Sequence, residues 1–380
     1  MKARMVPILF CFFVMGFGDA VGTFVGLAKD YFGLSAAMAG LLPFFGFIAF
    51  ALFSVPGGVL MGRRGKKFLL VLSLVIALVG QLVPSLTLAS YGVLVAAVFV
   101  GGIGMALLQV AGNPIMRDVS AEGRYARNLT FGQFIKSLGS IAGPALAVAI
   151  MASGLAWGWI FRVFAACLAL TLILVVLLKV EEKGKAPTPP SLASSFALLG
   201  RPNVGVMVLG AFLYVGAEVG LNSWVATYLH EAFAFDLRSL ATAGIAFFFL
   251  ALCVGRLVGS AVLHFLPARR FFVITALIGL VGTIGILVPV RSVSLVSIFV
   301  AGLGFGNVFP LIFSTLIDRM PEKSAELSGL LCMAIAGGAI LPLVMGALAD
   351  VSIVAAMLVP LASLVYLTVI AVRAYRAVPA

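Results

Sequence analysis

Long apolar runs separated by short polar loops make up almost the whole chain. Twelve of the runs are long enough to cross a bilayer, since about 20 apolar residues in a helix span its hydrocarbon core. They lie at 6–28, 37–61, 68–88, 92–115, 128–152, 157–179, 204–228, 241–264, 271–290, 294–316, 326–348 and 353–372. The pattern predicts an all-α membrane protein with twelve transmembrane helices.

Composition supports this class: 63% of the residues are hydrophobic and only 10% are charged, which excludes an ordinary soluble domain. The net charge of +12 is explained by its placement. With a cytoplasmic N-terminus, nineteen Lys and Arg residues fall on the cytoplasmic side and three on the outer side, as the positive-inside rule requires. We therefore expect a multi-pass protein of the plasma (inner) membrane, with both termini cytoplasmic and no nucleic-acid partner.

A charged, proline-rich loop divides the chain at its midpoint. It runs from Glu181 to Ser191 and reads EEKGKAPTPPS, which cannot span a membrane. We expect an N-terminal half at 1–180, a cytoplasmic linker at 181–203 and a C-terminal half at 204–380. The halves resemble each other, since Asp19 and Glu218 lie 199 positions apart. Two pseudo-symmetric six-helix halves are typical of transporters that hold substrate near the midplane between repeats.

Asp19 is the first candidate site residue. It lies near the middle of the first apolar run, where an ionised carboxylate costs about 2.5–3.5 kcal/mol. Such a group usually faces a polar interior and handles ions, protons or substrate. A structural carboxylate that caps a neighbouring helix is the alternative.

The loop after the second run carries a recognisable motif. Gly58 to Lys67 reads GVLMGRRGKK and resembles the loop signature of the major facilitator superfamily, although Gly62 occupies the position of its usual Asp. The resemblance implies the fold of that superfamily and a gating role for four basic residues: Arg63, Arg64, Lys66 and Lys67. A merely basic loop is the alternative.

Three further stretches resemble the fucose permease branch of that superfamily, which holds sugar–proton symporters including glucose/galactose transporters. They are Ala111-Gly112-Asn113-Pro114, Tyr214 to Val219 and Ser328 to Pro342. The branch's proton-linked Asp falls on Asp19, and a sugar-contacting Gln falls on Gln133. Its helix-four Glu is replaced by Gln109, and its helix-five Asn is replaced by Lys136.

These two replacements make the interior of the first half more positive. Lys136 either pairs with Asp19 as a bridge switched by protons or substrate, or receives a carboxylated or phosphorylated substrate. A third reading lets it snorkel toward the cytoplasm. Gln133 shares its helix face, being three residues away.

The second half has its own polar residues. Glu218 is a second candidate proton-coupling group, and Arg256 is its candidate counter-ion and gating partner; a static bridge between helices is the alternative. Asn222, Trp224 and Asn307 are candidate substrate contacts, together with Gln109, Gln133 and Lys136. Trp224 fits an interfacial anchor equally well.

The sequence contains no nucleotide-binding loop, metal cluster or nucleophilic triad, so we expect a transporter that is not an enzyme and needs no cofactor beyond a proton gradient. The predicted function is proton-coupled uptake of a small polyhydroxylated solute, a sugar or sugar acid, by alternating access in a monomer. The alternatives are a proton-coupled antiporter that exports small amphipathic compounds, and a membrane receptor that binds solute without moving it.

Overall fold

The computed structural model describes residues 2–19, 21–182, 189–236 and 240–376. Residues 183–188 of the predicted linker lie outside this part of the chain. So does Arg238, one of the three basic residues expected on the outer side. The α-helices within it are α1 (Lys2–Asp19), α2 (Val21–Phe32), α3 (Ala36–Ala39), α4 (Leu41–Arg64), α5 (Lys66–Leu86), α6 (Tyr91–Asp118), α7 (Tyr125–Ala152), α8 (Trp159–Leu177), α9 (Leu192–Ala197), α10 (Pro202–Phe233), α11 (Leu240–Val262), α12 (Ala268–Ile286), α13 (Arg291–Phe305), α14 (Val308–Arg319), α15 (Ser324–Met333), α16 (Gly337–Ala349) and α17 (Ile353–Arg376).

The predicted fold class is confirmed. Ten helical stretches among the described residues are long and apolar enough to cross a membrane, and α1 with α2 makes an eleventh if this bent pair is one span. The predicted eighth span falls on α11, which has 23 mainly apolar residues and adds to these eleven. The number of twelve spans therefore depends on counting α11.

Three of the predicted spans are interrupted. The axes of α1 and α2 differ by 45°, and the break follows Asp19. The tenth span divides into α13 and α14 at Gly306 and Asn307. In the eleventh, a short 3₁₀ turn at Ala334–Ala336 separates α15 from α16, where glycines weaken the α-helix.

Contacts divide the chain into two compact units. The first comprises Met1–Tyr125, Ile135–Leu198 and Met320–Met333, and the second comprises Ala126–Phe134, Leu199–Arg319 and Ala334–Ala380. The predicted halves 1–180 and 204–380 differ from these units because one short segment of each predicted half packs with the other. Those halves stay a prediction about which parts move together.

Within the first unit, α15 crosses α4 at close range. A Cβ on Gly58 would lie 2.6 Å from the Ala325 carbonyl oxygen and 3.1 Å from the Gly329 Cα, so both glycines are needed for this approach. The Ser328 hydroxyl donates to the Val110 carbonyl of α6 at 2.6 Å. The start of the eleventh predicted span is thereby fixed to the second and fourth spans.

Candidate functional site

Asp19 is the last described residue of α1, next to the 45° bend between α1 and α2. Its side chain is 38% accessible, in contrast to the fully buried Cys11 and Phe12 earlier on the same helix. Asp19 is thus the more accessible end of this helix, and its role in coupling stays a prediction.

The partners of Asp19 come from α7. Lys136 Nζ lies 3.2 Å from Asp19 Oδ2, and the Ser140 hydroxyl donates to the same oxygen at 2.8 Å. The Lys136 side chain is only 13% accessible. Of the three readings of Lys136, the structure therefore contains the ion pair with Asp19.

Both contacts use one carboxylate oxygen. Asp19 Oδ1 has no hydrogen-bond donor among the described residues, and the Lys136 ammonium, which carries three donors, has no acceptor there besides Asp19. The pair therefore keeps donor and acceptor capacity for a third group.

Two glycines set this geometry. A Cβ on Gly139 of α7 would overlap the Phe13 carbonyl oxygen of α1, and a Cβ on Gly16 would overlap the Lys136 carbonyl oxygen. Small residues let membrane helices approach until their backbones touch. This contact places Lys136 and Ser140, one turn apart on α7, beside Asp19.

The other predicted contacts of the first half are enclosed by protein. Gln109 on α6 and Gln133 on α7 are each 3% exposed. Gln133 has further interactions of its own. Their predicted substrate role stays a prediction, and Asp19 and Lys136 are the more accessible groups.

The second unit contains another half-buried ion pair. Arg256 Nη2 of α11 lies 3.3 Å from Glu218 Oε1 of α10, and Arg256 Nε donates to the Gly306 carbonyl at 3.1 Å. Glu218 is 20% accessible at its side chain. Arg256 thus connects Glu218 to the break between α13 and α14.

Tyr214 lies one turn before Glu218 on α10. Its ring is buried beside Phe305 and Phe309, with ring centroids 5.8 and 6.3 Å away. Its buried hydroxyl has no hydrogen-bond partner among the described residues.

The three remaining predicted contacts differ in their surroundings. The Asn307 amide donates to the Gly255 carbonyl at 3.0 Å and is 2% exposed, so it joins α11 to the α13–α14 break. Trp224 donates from its indole nitrogen to the Pro342 carbonyl at 3.1 Å. Asn222 has a buried Oδ1 that no donor in the described part of the chain reaches. The Asn307 Oδ1 is likewise buried without a donor among the described residues, and Asn222 is the less buried of the two side chains.

An acidic residue of the linker caps the predicted gating turn. The Glu182 carboxylate accepts from the backbone N–H groups of Lys66 and Lys67 at 2.8 and 2.9 Å, at the N-terminus of α5. Gly65 has a φ of +99°, and a Cβ there would lie 2.9 Å from a Glu182 oxygen. Glycine is required here because it tolerates both the conformation and the approach.

The four basic residues of this turn have separate partners. Arg63 donates to the Pro190 carbonyl at 3.3 Å, and Arg64 lies over the Phe68 ring at 6.0 Å. Lys67 donates to the carbonyls of Val176 and Leu178 at 2.9 and 2.7 Å, at the end of α8, as expected of a cation at a helix C-terminus. The turn is thus bound to the end of α8 and to both described parts of the linker.

Lys66 forms a buried pair with Asp118 at the end of α6. Its ammonium lies 2.7 and 2.9 Å from the two carboxylate oxygens, with side chains 9% and 0% accessible. Where the superfamily signature has an Asp, the position of a Cβ on Gly62 is taken by Pro190. Asp118 and Glu182 instead provide the negative charge.

Replacing Glu182 with alanine is expected to destabilise the turn by about 0.5–2 kcal/mol, the usual cost of losing a helix N-cap. Both N–H groups at the start of α5 lose their acceptor. Thermal unfolding in detergent measures the change. The matched control is Glu181→Ala, since Glu181 is exposed; equal midpoints for the two variants would contradict the capping role.

Sequence reasoning missed three of these residues. Ser140 lies four positions after Lys136, so helical spacing was a usable signal. Asp118 lies at the end of a long apolar run, and this position is a weaker indication of a structural role than the helical spacing of Ser140. Glu182 meets Lys66 across 116 positions, and nothing local in the sequence indicates this contact.

The described residues contain no group of three or more side chains able to hold a metal ion. The candidate site residues with charged partners form two ion pairs, Asp19–Lys136 and Glu218–Arg256.

Comparison with known proteins identifies the family. A model described as Major Facilitator Superfamily matches residues 8–342. The chain is 26% identical to the glucose/galactose transporter of Brucella abortus biovar 1 (strain 9-941), over 96% of this chain and 92% of the other. It is 27% identical to the putative glucose/galactose transporter of Helicobacter pylori (strain ATCC 700392 / 26695), over 96% and 95% of the two chains.

A solved structure is also similar. The crystal structure of the E. coli fucose:proton symporter FucP has a TM-score of 0.84 and 19% identity, covering 98% of this chain and 99% of that chain. This likeness concerns the fold alone. The family match covers most of the sequence, and it agrees with the all-helical multi-pass architecture and the motif at Gly58–Lys67. The chain therefore belongs to the Major Facilitator Superfamily and is an integral membrane transporter.

Proposed function

We propose that the protein takes up a small polyhydroxylated solute, a sugar or sugar acid, together with protons. The relatives named as glucose/galactose transporters and the fold of a fucose:proton symporter support this proposal. The observation that carries it is the accessible acid Asp19, paired with Lys136 at the break of the first span.

Proton coupling requires an acid that can gain and lose a proton while it faces each side in turn. Asp19 meets the requirement because its carboxylate is partly accessible and has only one ionic partner. Protonation of Asp19 weakens its attraction to Lys136, which frees the ammonium. Glu218 with Arg256 is proposed as the corresponding pair of the second half.

Alternating access is proposed to move the halves 1–180 and 204–380 as bodies. The interrupted eleventh span offers a place to bend, since α-helical hydrogen bonding changes at Ala334–Ala336. The turn at Arg63–Lys67 is proposed as part of the cytoplasmic gate. We further propose a monomer in the plasma (inner) membrane with cytoplasmic termini, on the charge asymmetry of the loops.

The test is uptake into proteoliposomes with an imposed pH gradient, acid outside. The panel contains neutral hexoses, deoxyhexoses and sugar acids. Wild-type protein is expected to accumulate at least one of them, because proton entry drives the solute inward. The Asp19→Asn variant is expected to lose accumulation while keeping solute exchange between two sides at equal pH, because exchange needs no net proton movement.

Three results would contradict the proposal. Accumulation by Asp19→Asn equal to that of the wild type would remove Asp19 from coupling. Solute efflux against its gradient, driven by inward protons, would identify an antiporter, and binding without any flux would identify a receptor.

A further inference from the structure

We propose that the coupled solute is a monoanionic sugar acid, an aldonate or uronate, whose carboxylate takes the place of Asp19 at Lys136. This inference rests on the proposed function and names the class of its substrate. It comes from the geometry of the Asp19–Lys136 pair and from the charge balance of the two side chains.

Lys136 has one charged partner. Among the described residues, Asp19 is the only acid within 4 Å of its ammonium, and Lys136 is the only cation within that distance of Asp19. Ser140 is the other side chain that bonds Asp19, and it is neutral. The net charge of this site is zero while both members are ionised.

Protonation of Asp19 changes that balance. It leaves the Lys136 ammonium, 13% accessible, without a counter-charge inside a membrane-spanning helix. An unpaired cation in that position is unfavourable, since charges within spanning segments are stable mainly when paired. A second anion that reaches Lys136 restores the balance of charge.

Protonation of Asp19 in turn favours binding of the anion. An anion that approaches Lys136 while Asp19 is ionised meets a negative charge 3.2 Å from the ammonium. Protonation removes that charge, so each ligand strengthens the binding of the other, as linkage requires. A neutral sugar brings no counter-charge and gains no such advantage from the proton.

The number of charges selects a monoanion. One ammonium neutralises one carboxylate, whereas a phosphate monoester would leave about one excess negative charge near neutral pH. The Lys136 donors that the structure leaves without an acceptor among the described residues are available to a carboxylate. Proton and monoanion together carry no net charge, so their joint entry is electroneutral.

The experiment compares gluconate and glucuronate with glucose and galactose in proteoliposomes. An inward pH gradient is imposed, and the membrane potential is set separately by potassium and valinomycin. Wild-type protein is expected to accumulate the acids in preference to the neutral sugars, and at a rate that does not respond to the potential.

The variants are Lys136→Asn, Lys136→Arg and the surface control Lys29→Asn. Lys136→Asn is expected to lower acid uptake by about 10- to 100-fold, the usual effect of removing a hydrogen bond to a charged group. Its ratio of acid uptake to neutral-sugar uptake is expected to fall by a similar factor, whereas a folding defect would lower both kinds of uptake alike. Lys136→Arg retains the positive charge and is expected to keep the preference for acids.

The outcomes separate this inference from the proposed function. Gradient-driven uptake of glucose or galactose by the wild type at the rate of the acids, changed equally by Lys136→Asn, would overturn the inference and leave the proposed function standing. Acid uptake that follows the membrane potential would also overturn it. Uptake of no compound at all would overturn both.

Discussion

Replacing Gly139 with alanine is expected to abolish transport and to lower the thermal stability of the protein. The added Cβ would overlap the Phe13 carbonyl oxygen and lie 3.2 Å from the Gly16 Cα. These are backbone atoms of α1, which cannot rotate away as a side chain does. Overpacking of this kind costs about 1–3 kcal/mol, and relief requires α1 and α7 to separate.

Separation of these helices would also break the functional pair. The Asp19–Lys136 contact already measures 3.2 Å, and small displacements weaken both it and the Ser140 hydrogen bond. Transport is therefore expected to fall further than stability alone requires. Gradient-driven uptake in proteoliposomes and thermal unfolding in detergent measure the two effects.

Gly26 offers a matched control for this substitution. It lies on α2, and a Cβ built on it meets nothing within 4 Å. Alanine favours a helix over glycine by about 1 kcal/mol, so Gly26→Ala is expected to be neutral or slightly stabilising. Wild-type uptake by Gly139→Ala would refute the close contact between α1 and α7.

The sequence predicted the class of fold because a membrane imposes it. Length and apolarity of the runs determine the spans, and the fold class needs no long-range information. The length and apolarity of a run do not predict where its helix is interrupted. The bend after Asp19 interrupts a run that is apolar on both sides.

The sequence allows three interpretations of Lys136, and the ion pair with Asp19 is one of them. Choosing among them requires the positions of the helix backbones. An acid and a base in two apolar segments must each find a partner, which the sequence indicates. Asp19 and Lys136 come together only because Gly16 lets α1 contact α7. The packing of these two helices determines which residues face each other. Snorkelling was equally compatible with the position of Lys136 in its helix.

The sequence indicated the basic residues of the turn but not their partners, and their gating role stays a prediction. Lys67 binds the end of α8, as expected from helix polarity. Glu182 and Asp118 come from distant parts of the chain, and the loop at Glu181–Ser191 suggested only a linker. Contacts across more than 50 positions carry no periodic signal in one sequence. Asn307 and Trp224 likewise have backbone partners that composition does not reveal.

The buried pair of Lys66 and Asp118 is expected to be the most sensitive charge contact in the turn. Asp118→Asn removes the negative charge 2.7 Å from an ammonium that is 9% accessible at its side chain. Removing one member of a buried pair costs about 3–5 kcal/mol, because the other charge stays buried. We expect a large fall in the midpoint of thermal unfolding and a matching loss of uptake.

Two controls isolate the charge. Glu122→Gln removes an exposed acid from the loop that follows α6, and it is expected to leave the midpoint near that of the wild type. Lys66→Met combined with Asp118→Leu removes both charges and is expected to regain part of the stability lost by Asp118→Asn alone, since apolar replacements of buried pairs are often tolerated. If the double variant is less stable than Asp118→Asn, the loss is due to packing at the turn. If it recovers, the buried charge is the cause, and the pair then holds α5 against the end of α6 by charge compensation.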